Sequence, residues 1–229
     1  MTTPRRTNYL WVSWLARLMA GEVSCGWAAW FRAHYQAYER AESDGYLALW
    51  TVQHTRRLDE LVAERTRLDE TVWQEAQAAF RVQLRPTLLL GGRPDLVTLD
   101  SSGRYTVYEV KTGRPRHSHT VQTLLYVLCL PLAYPQLRGH ELAGRVVYAD
   151  GAEIPLPPAL ANEGFRDAAR HYVDLVNGLE PPAHVPSPNE CKYCDLTNAD
   201  CARRIASPVE PRLLRELPVA WQPLAANAA

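Results

Sequence analysis

Apolar residues recur at spacings of three and four through residues 9–19, 25–38 and 46–80, the period of amphipathic helices. Gly21 and Gly45 interrupt the pattern and mark the expected breaks. In the first stretch Leu10, Trp14 and Leu18 stand four apart and share one helical face. Near residue 82 the texture changes. Residues 82–90 and 96–100 read as strands, Ser101-Ser102-Gly103 as a turn, and 105–110 as a third, alternating strand. Helical spacing returns over 120–133 and closes before Pro135, residues 145–149 predict a fourth strand, and 159–179 a further helix. No internal repeat is present. Helices, a strand meander, a helix, a strand and a helix predict an α/β fold with a helical N-terminal half.

Composition narrows the reading. With 229 residues, 47% of them hydrophobic, the chain can bury one substantial core, or a core and a small satellite. Lys+Arg and Asp+Glu are equal at 25 each, so no global field draws the protein to nucleic acid or an acidic membrane; any such contact needs a local basic patch. Arg5 and Arg6 precede an apolar stretch, but Arg17 interrupts it, and no run approaches the roughly 18 apolar residues of a membrane span. The expectation is a cytoplasmic protein with reduced thiols and no membrane partner.

Positive charge is written almost wholly as arginine, the lysines being Lys111 and Lys192 alone. Codon composition accounts for the general bias, yet leaves position 111 to explain. Lys111 follows Glu109 by two on an expected strand, so both side chains point to one face. A hairpin turning at 101–104 brings Asp95 opposite Glu109 to within about one residue. Two carboxylates and an ammonium then converge. Oxygen ligands of this kind, with the Val110 carbonyl, suit a hard divalent cation, and a compact lysine can sit beside a nucleophilic water where the bulkier arginine cannot. Glu-x-Lys alone is more often a salt-bridged strand end. Pro94 lacks a ladder donor and implies a bend or edge there. Downstream, Gln122 and Tyr126 lie four apart on one helical face. Upstream, His54 stands in a helix beside Gln53, Arg56 and Arg57, where a lone histidine is more often a surface residue.

Gly92-Arg93-Pro94-Asp95, Glu109-x-Lys111-Thr112-Gly113 and Gln122-x-x-x-Tyr126, in this order and with short gaps, resemble the signature of RecB-type nucleases of the PD-(D/E)XK superfamily over roughly residues 22–205. The resemblance implies a restriction-endonuclease-like core, a mixed sheet flanked by helices. It implies metal binding by Asp95, Glu109, the Val110 carbonyl and His54, with Mg²⁺ or Mn²⁺ as the ion. Lys111 would be the catalytic lysine, with Gln122 and Tyr126 orienting it and a DNA phosphate. Arg93 and the loop carrying Arg114 and Arg116 would meet the backbone, although such a loop is equally an ordinary solvated one.

Of five cysteines, Cys129 lies among Val127, Leu128 and Leu130 and reads as core. Cys191, Cys194 and Cys201 form a ligand-like group after a proline-rich stretch at 181–188, and Cys25 is the best fourth member. One early and three late cysteines around such a core resemble the iron-sulfur nucleases, among them the AddB nuclease domain and the CRISPR-associated RecB-like exonucleases. That implies a 4Fe-4S cluster clasping the two ends of the chain. Structural Zn²⁺ competes, since four thiolates serve either, and the final gap of six residues is one longer than the commonest pattern. Trp27, Trp30, Tyr35 and Tyr38 after Cys25 read as core, with base stacking as the sharper alternative.

The organisation expected is a helical N-terminal region (1–80) contributing Cys25 and His54, a nuclease core (81–180), a cluster segment (181–205) and a loosely ordered tail (206–229). The activity expected is a metal-dependent DNA exonuclease acting on single strands or ends, in CRISPR adaptation, repair or mobile-element processing, with an integrase or helicase as the kind of partner. A zinc-stabilised nucleic-acid-binding module without turnover and a structure-specific endonuclease are the alternatives.

Overall fold

The computed structural model describes residues 2–41 and 47–205, the side chains of 47–50 excepted. The break expected at Gly45 and the tail at 206–229 lie outside the described residues. The chain opens with β1 (Thr3–Pro4), β2 (Asn8–Trp11), α1 (Val12–Met19), α2 (Gly26–His34) and β3 (Tyr35–Gln36). There follow α3 (Leu47–Arg67), β4 (Thr71–Gln74), α4 (Glu75–Ala78), β5 (Phe80–Arg85) and β6 (Leu88–Gly92). β7 (Leu96–Leu99), β8 (Tyr105–Lys111), α5 (His117–Ala133), β9 (Leu142–Tyr148) and β10 (Glu153–Leu156) come next, then α6 (Glu163–Asn177) and α7 (Pro188–Lys192).

The mixed sheet is five-stranded, in the order β10-β9-β8-β7-β4. β8 and β9 run parallel and the other neighbours antiparallel. A parallel pair needs a crossover, which α5 supplies. α5 is apolar on most of its surface because it is buried, its Leu124, Leu125, Val127 and Leu130 lying in a core shared with α1 and with Val97 and Val107 of the sheet. On the opposite face Leu58 and Leu61 of α3 meet Tyr108 and Val110. β8 is therefore covered on both sides, and its residues 107–110 are buried in succession instead of alternating. A second sheet, β2-β6-β5, stands beside the first, with β2 parallel to β6.

Several expected elements differ, each for a tertiary reason. Residues 9–11, expected as the start of a helix, lie instead in β2 and pair with β6, so Leu10 lies on a strand and not on the face of Trp14 and Leu18. The long helix expected over 46–80 ends at Arg67. Thr71, Val72 and Trp73, β-branched and aromatic, join the sheet edge beside β7, and Phe80 begins β5. The helix expected over 25–38 stops at His34, where Tyr35 turns extended to pair with β1. The single strand expected over 82–90 is a hairpin turned at Pro86-Thr87, a turn signal passed over in the apolar run. β10 was not expected because Pro155 interrupts it, and its edge position is where a strand tolerates proline. The helix expected over 159–179 is α6 and begins only at Glu163, where the Asn162 side chain accepts the Phe165 N–H at 3.0 Å.

The segment 92–95 carries the chain from the small sheet into the large one. A Cβ on Gly92 would lie 2.5 Å from the Phe80 ring and 2.8 Å from that of Tyr126, so only glycine lets these rings close over the crossing. Pro94, without an N–H to leave unpaired, sits in the gap between the two ladders.

Candidate active site

The β7–β8 register pairs Leu96 with Tyr108, which sets Asp95 opposite Glu109. Asp95 reaches across the hairpin, its Oδ2 accepting the Val110 N–H at 2.7 Å. The same oxygen lies 3.3 Å from His54 Nε2 on α3. Glu109 and Lys111 share the face under α5 and meet at 2.6 Å between Oε1 and Nζ. Gln122 binds both, donating to Glu109 Oε1 at 2.7 Å and accepting from Lys111 Nζ at 3.3 Å, and donates also to Tyr126 Oη at 3.0 Å. Tyr126 in turn donates to the Arg93 carbonyl at 3.3 Å. Four separate stretches of chain thus converge on one cluster, Asp95 and Glu109 within it being only 7% and 4% exposed.

The electrostatics are those of charge held away from water. Burial pushes the Glu109 carboxyl up and the Asp95 charge adds to it, while Lys111 offsets part of the rise. For Lys111, burial works against the ammonium, but the Glu109 carboxylate outweighs it and the pKa stands raised. The two directions compete for one proton, and the contact between them is strong only when Glu109 is ionised. The Asp95 hydrogen bond raises His54, with burial opposing it. One buried atom is left over: Glu109 Oε2 has no hydrogen-bond partner among the described residues. A buried carboxylate oxygen of this kind is costly unless a cation or water completes it.

The sequence reading missed Glu75. It opens α4 immediately after the edge strand, and its N–H donates to the Asp95 carbonyl at 3.0 Å. Single ligand atoms of His54, Glu75 and Asp95 lie within 4.8 Å of one another, a spacing that can hold a metal ion. No motif marks Glu75, because the β4–β7 ladder alone, pairing Gln74 with Leu96, brings it to Asp95. Glu109 stands beside this trio and not within it.

The loop expected over 114–119 is shorter than anticipated, since His117, Ser118 and His119 form the first turn of α5. Glu22, distant in sequence, caps that turn by accepting from the Ser118 N–H at 3.0 Å and its hydroxyl at 2.8 Å. His119 points inward to Tyr148 Oη, 3.1 Å away. Arg93, Arg114 and Arg116 are exposed near the rim, and Arg116 comes within 4.0 Å of Glu22.

Cys25, Cys191, Cys194 and Cys201 line one pocket, far apart in sequence but together in space, and all are free thiols. No three of their sulfurs lie within 4.8 Å of one another among the described residues. Glu190 joins the pocket's two walls, accepting the N–H of Ser24 at 3.0 Å and of Cys25 at 3.2 Å. Trp27, Trp30 and Tyr38 are buried in a small core behind it with Phe31 and Leu196. Cys129 belongs to the main core, where burial pushes its thiol up to about 12.

Fold and cluster together define an α/β protein in which buried Asp95 and Glu109 meet a half-buried Lys111 at the end of β8, beside the bend between two sheets. Residues 15–199 match the PD-(D/E)XK nuclease superfamily, and the chain belongs to it. Solved structures with a similar chain path include one described as the crystal structure of SSO0001, at 17% identity and a TM-score of 0.47, covering 89% of this chain and 90% of that one. Another is an alkaline exonuclease (LHK-Exo) from Laribacter hongkongensis, at 11% identity and a TM-score of 0.43, covering 75% of this chain and 89% of that one. No curated protein matches the chain. No helix among the described residues is long and apolar enough to cross a membrane.

Proposed function

We propose that this protein is a divalent-metal-dependent deoxyribonuclease of exonuclease type, acting on single-stranded DNA or DNA ends. The observation that carries the reading is buried Asp95 and Glu109 opposite each other across the hairpin, with half-buried Lys111 tied to Glu109 by Gln122 and Glu109 Oε2 left without a partner among the described residues. Its donor set, carboxylate oxygens with one imidazole, fits Mg²⁺ or Mn²⁺, and the unpartnered oxygen is where a cation would relieve burial. Asp95, Glu109, the Val110 carbonyl and His54 are the ligands we assign. These residues would hold an ion whose chemistry there would be to offset charge on a scissile phosphate and lower the pKa of a bound water.

The chain's own groups supply the rest. Lys111 Nζ, steadied by Gln122 Oε1, donates to the attacking water and orients its lone pair toward phosphorus. Glu109 keeps the ammonium in place, and Tyr126 locks Gln122 by bonding to the Arg93 carbonyl. Arg93, Arg114 and Arg116 stand exposed where a phosphate backbone would pass.

For the four cysteines we propose a 4Fe-4S cluster. Tetrahedral zinc, with Zn–S of about 2.3 Å, holds its thiolates about 3.8 Å apart. A 4Fe-4S cluster takes the same four thiolates with irons and sulfides between them, and all four cysteines line the one pocket.

The test is release of label from end-labelled linear single-stranded DNA with Mn²⁺, using anaerobically purified protein beside Lys111→Ala. Cleavage by the wild type, with a loss of about 100-fold or more in the variant, is expected. Equal cleavage by both proteins would overturn the assignment of Lys111. Cleavage of circular single-stranded DNA, which has no ends, would replace the exonuclease with an endonuclease.

A further inference from the structure

Four cysteines share one pocket and, as thiolate ligands, would concentrate negative charge there; basic groups surround them. Arg17, Arg32, His184 and Arg204 line the same pocket as the cysteines. Arg204 donates to the backbone carbonyls of Cys194, at 2.9 Å, and of Leu196. Among the arginines of the described residues, Arg32 is the one whose guanidinium donates to a cysteine sulfur, Cys194 Sγ at 3.2 Å. The same side chain is locked by Asp195, its Nε donating to Oδ1 at 2.7 Å, and is only 14% exposed. Asp195 is held in turn by the Tyr38 hydroxyl at 3.3 Å, and its carbonyl accepts the Ala41 N–H at 2.8 Å. A largely buried cation is thus fixed against one sulfur of the four-cysteine group.

The geometry points to Arg32 as the residue that sets the redox potential of the cysteine site. The inference rests on the iron-sulfur reading of the four cysteines given above. A hydrogen bond and a positive charge at a ligating sulfur stabilise the reduced, more negative cluster, and so raise its reduction potential. The step is a single electron transfer from an external one-electron reductant, dithionite in the assay, and no bond is made or broken at Arg32. Asp195 tempers the charge and fixes the direction of the fork, which a lysine would not reproduce.

The experiment is an anaerobic dithionite titration of the full chain, followed by visible absorbance and electron paramagnetic resonance, with iron and sulfide content measured alongside. Wild type, Arg32→Lys and Arg32→Gln are compared. The midpoint is expected to move to more negative potential in both variants, further in Arg32→Gln, which loses charge and hydrogen bond together. Unchanged midpoints at full iron content would overturn the inference and leave the cluster standing. Folded variants that both fail to retain iron would overturn it too, by making Arg32 a purely structural support. A wild type that binds zinc and no iron after reconstitution would remove the cluster reading itself and this inference with it.

Discussion

At the scale of single residues the site depends on side chains whose partners lie far off in sequence. Gln122 is the clearest case: on its own it is a polar residue on an apolar helix, yet it bonds at once to Glu109, Lys111 and Tyr126. Replacing it with alanine should leave the fold intact and release both the lysine and the carboxylate. Cleavage is expected to fall by about 10- to 100-fold with little change in melting, measured by label release beside a thermal melt. Asp95, Glu109 and Lys111 were legible in the sequence because two-residue alternation and one turn suffice to bring them together. Glu75 was not, because its approach to Asp95 depends on an edge strand that local spacing read as helix. Gly92 was legible as part of a motif, while the reason for it, the closure of Phe80 and Tyr126, is purely tertiary.

At the scale of elements, the start of α5 links the site to the rest of the chain. Its first turn carries His119, whose pKa burial lowers from 6.5 to about 4, with the nearby Lys111 charge pushing the same way. As pH falls from 6.5 toward 4 the unfolded chain takes up a proton that the folded protein refuses, so this group lowers stability across that window and is neutral above it. His119→Gln should therefore flatten part of the acid-side loss of stability, read from urea unfolding at several pH values between these limits. A slope unchanged by the substitution would show that His119 is free to protonate in the fold. Glu22 caps this same turn from outside the helix, so the start of α5 is set by a remote carboxylate and not by its own N-cap residue, Arg116. Local signals therefore placed the helix from residue 120, although it begins at His117.

At the scale of the whole molecule, the cysteine pocket ties residues 24–32 to residues 178–195. Glu190 grips the backbone of Ser24 and Cys25, Arg32 pairs with Asp195, and the Trp30 indole N–H donates to the Gly178 carbonyl at 2.8 Å. Glu190→Ala removes two charge-assisted bonds across this seam and should cost about 1–3 kcal/mol in urea unfolding, with Glu190→Gln recovering part of the loss. The sequence by itself determined the α/β class, the order of most elements, the Asp–Glu–Lys group and the cysteine set, since each follows from period, short spacing or residue chemistry. Only the tertiary structure decided which apolar segments of the first eighty residues became strands, because 8–11 and 71–74 are strands solely by pairing with β6 and β7. It also brought Glu75 to Asp95, Glu22 to α5 and Arg32 to Cys194, contacts between residues 20 to 162 positions apart. Sequence periodicity reports the face a residue presents to its nearest neighbours along the chain. Contacts at such separations depend on how the sheets and helices dock, and that is set by burial of the whole core.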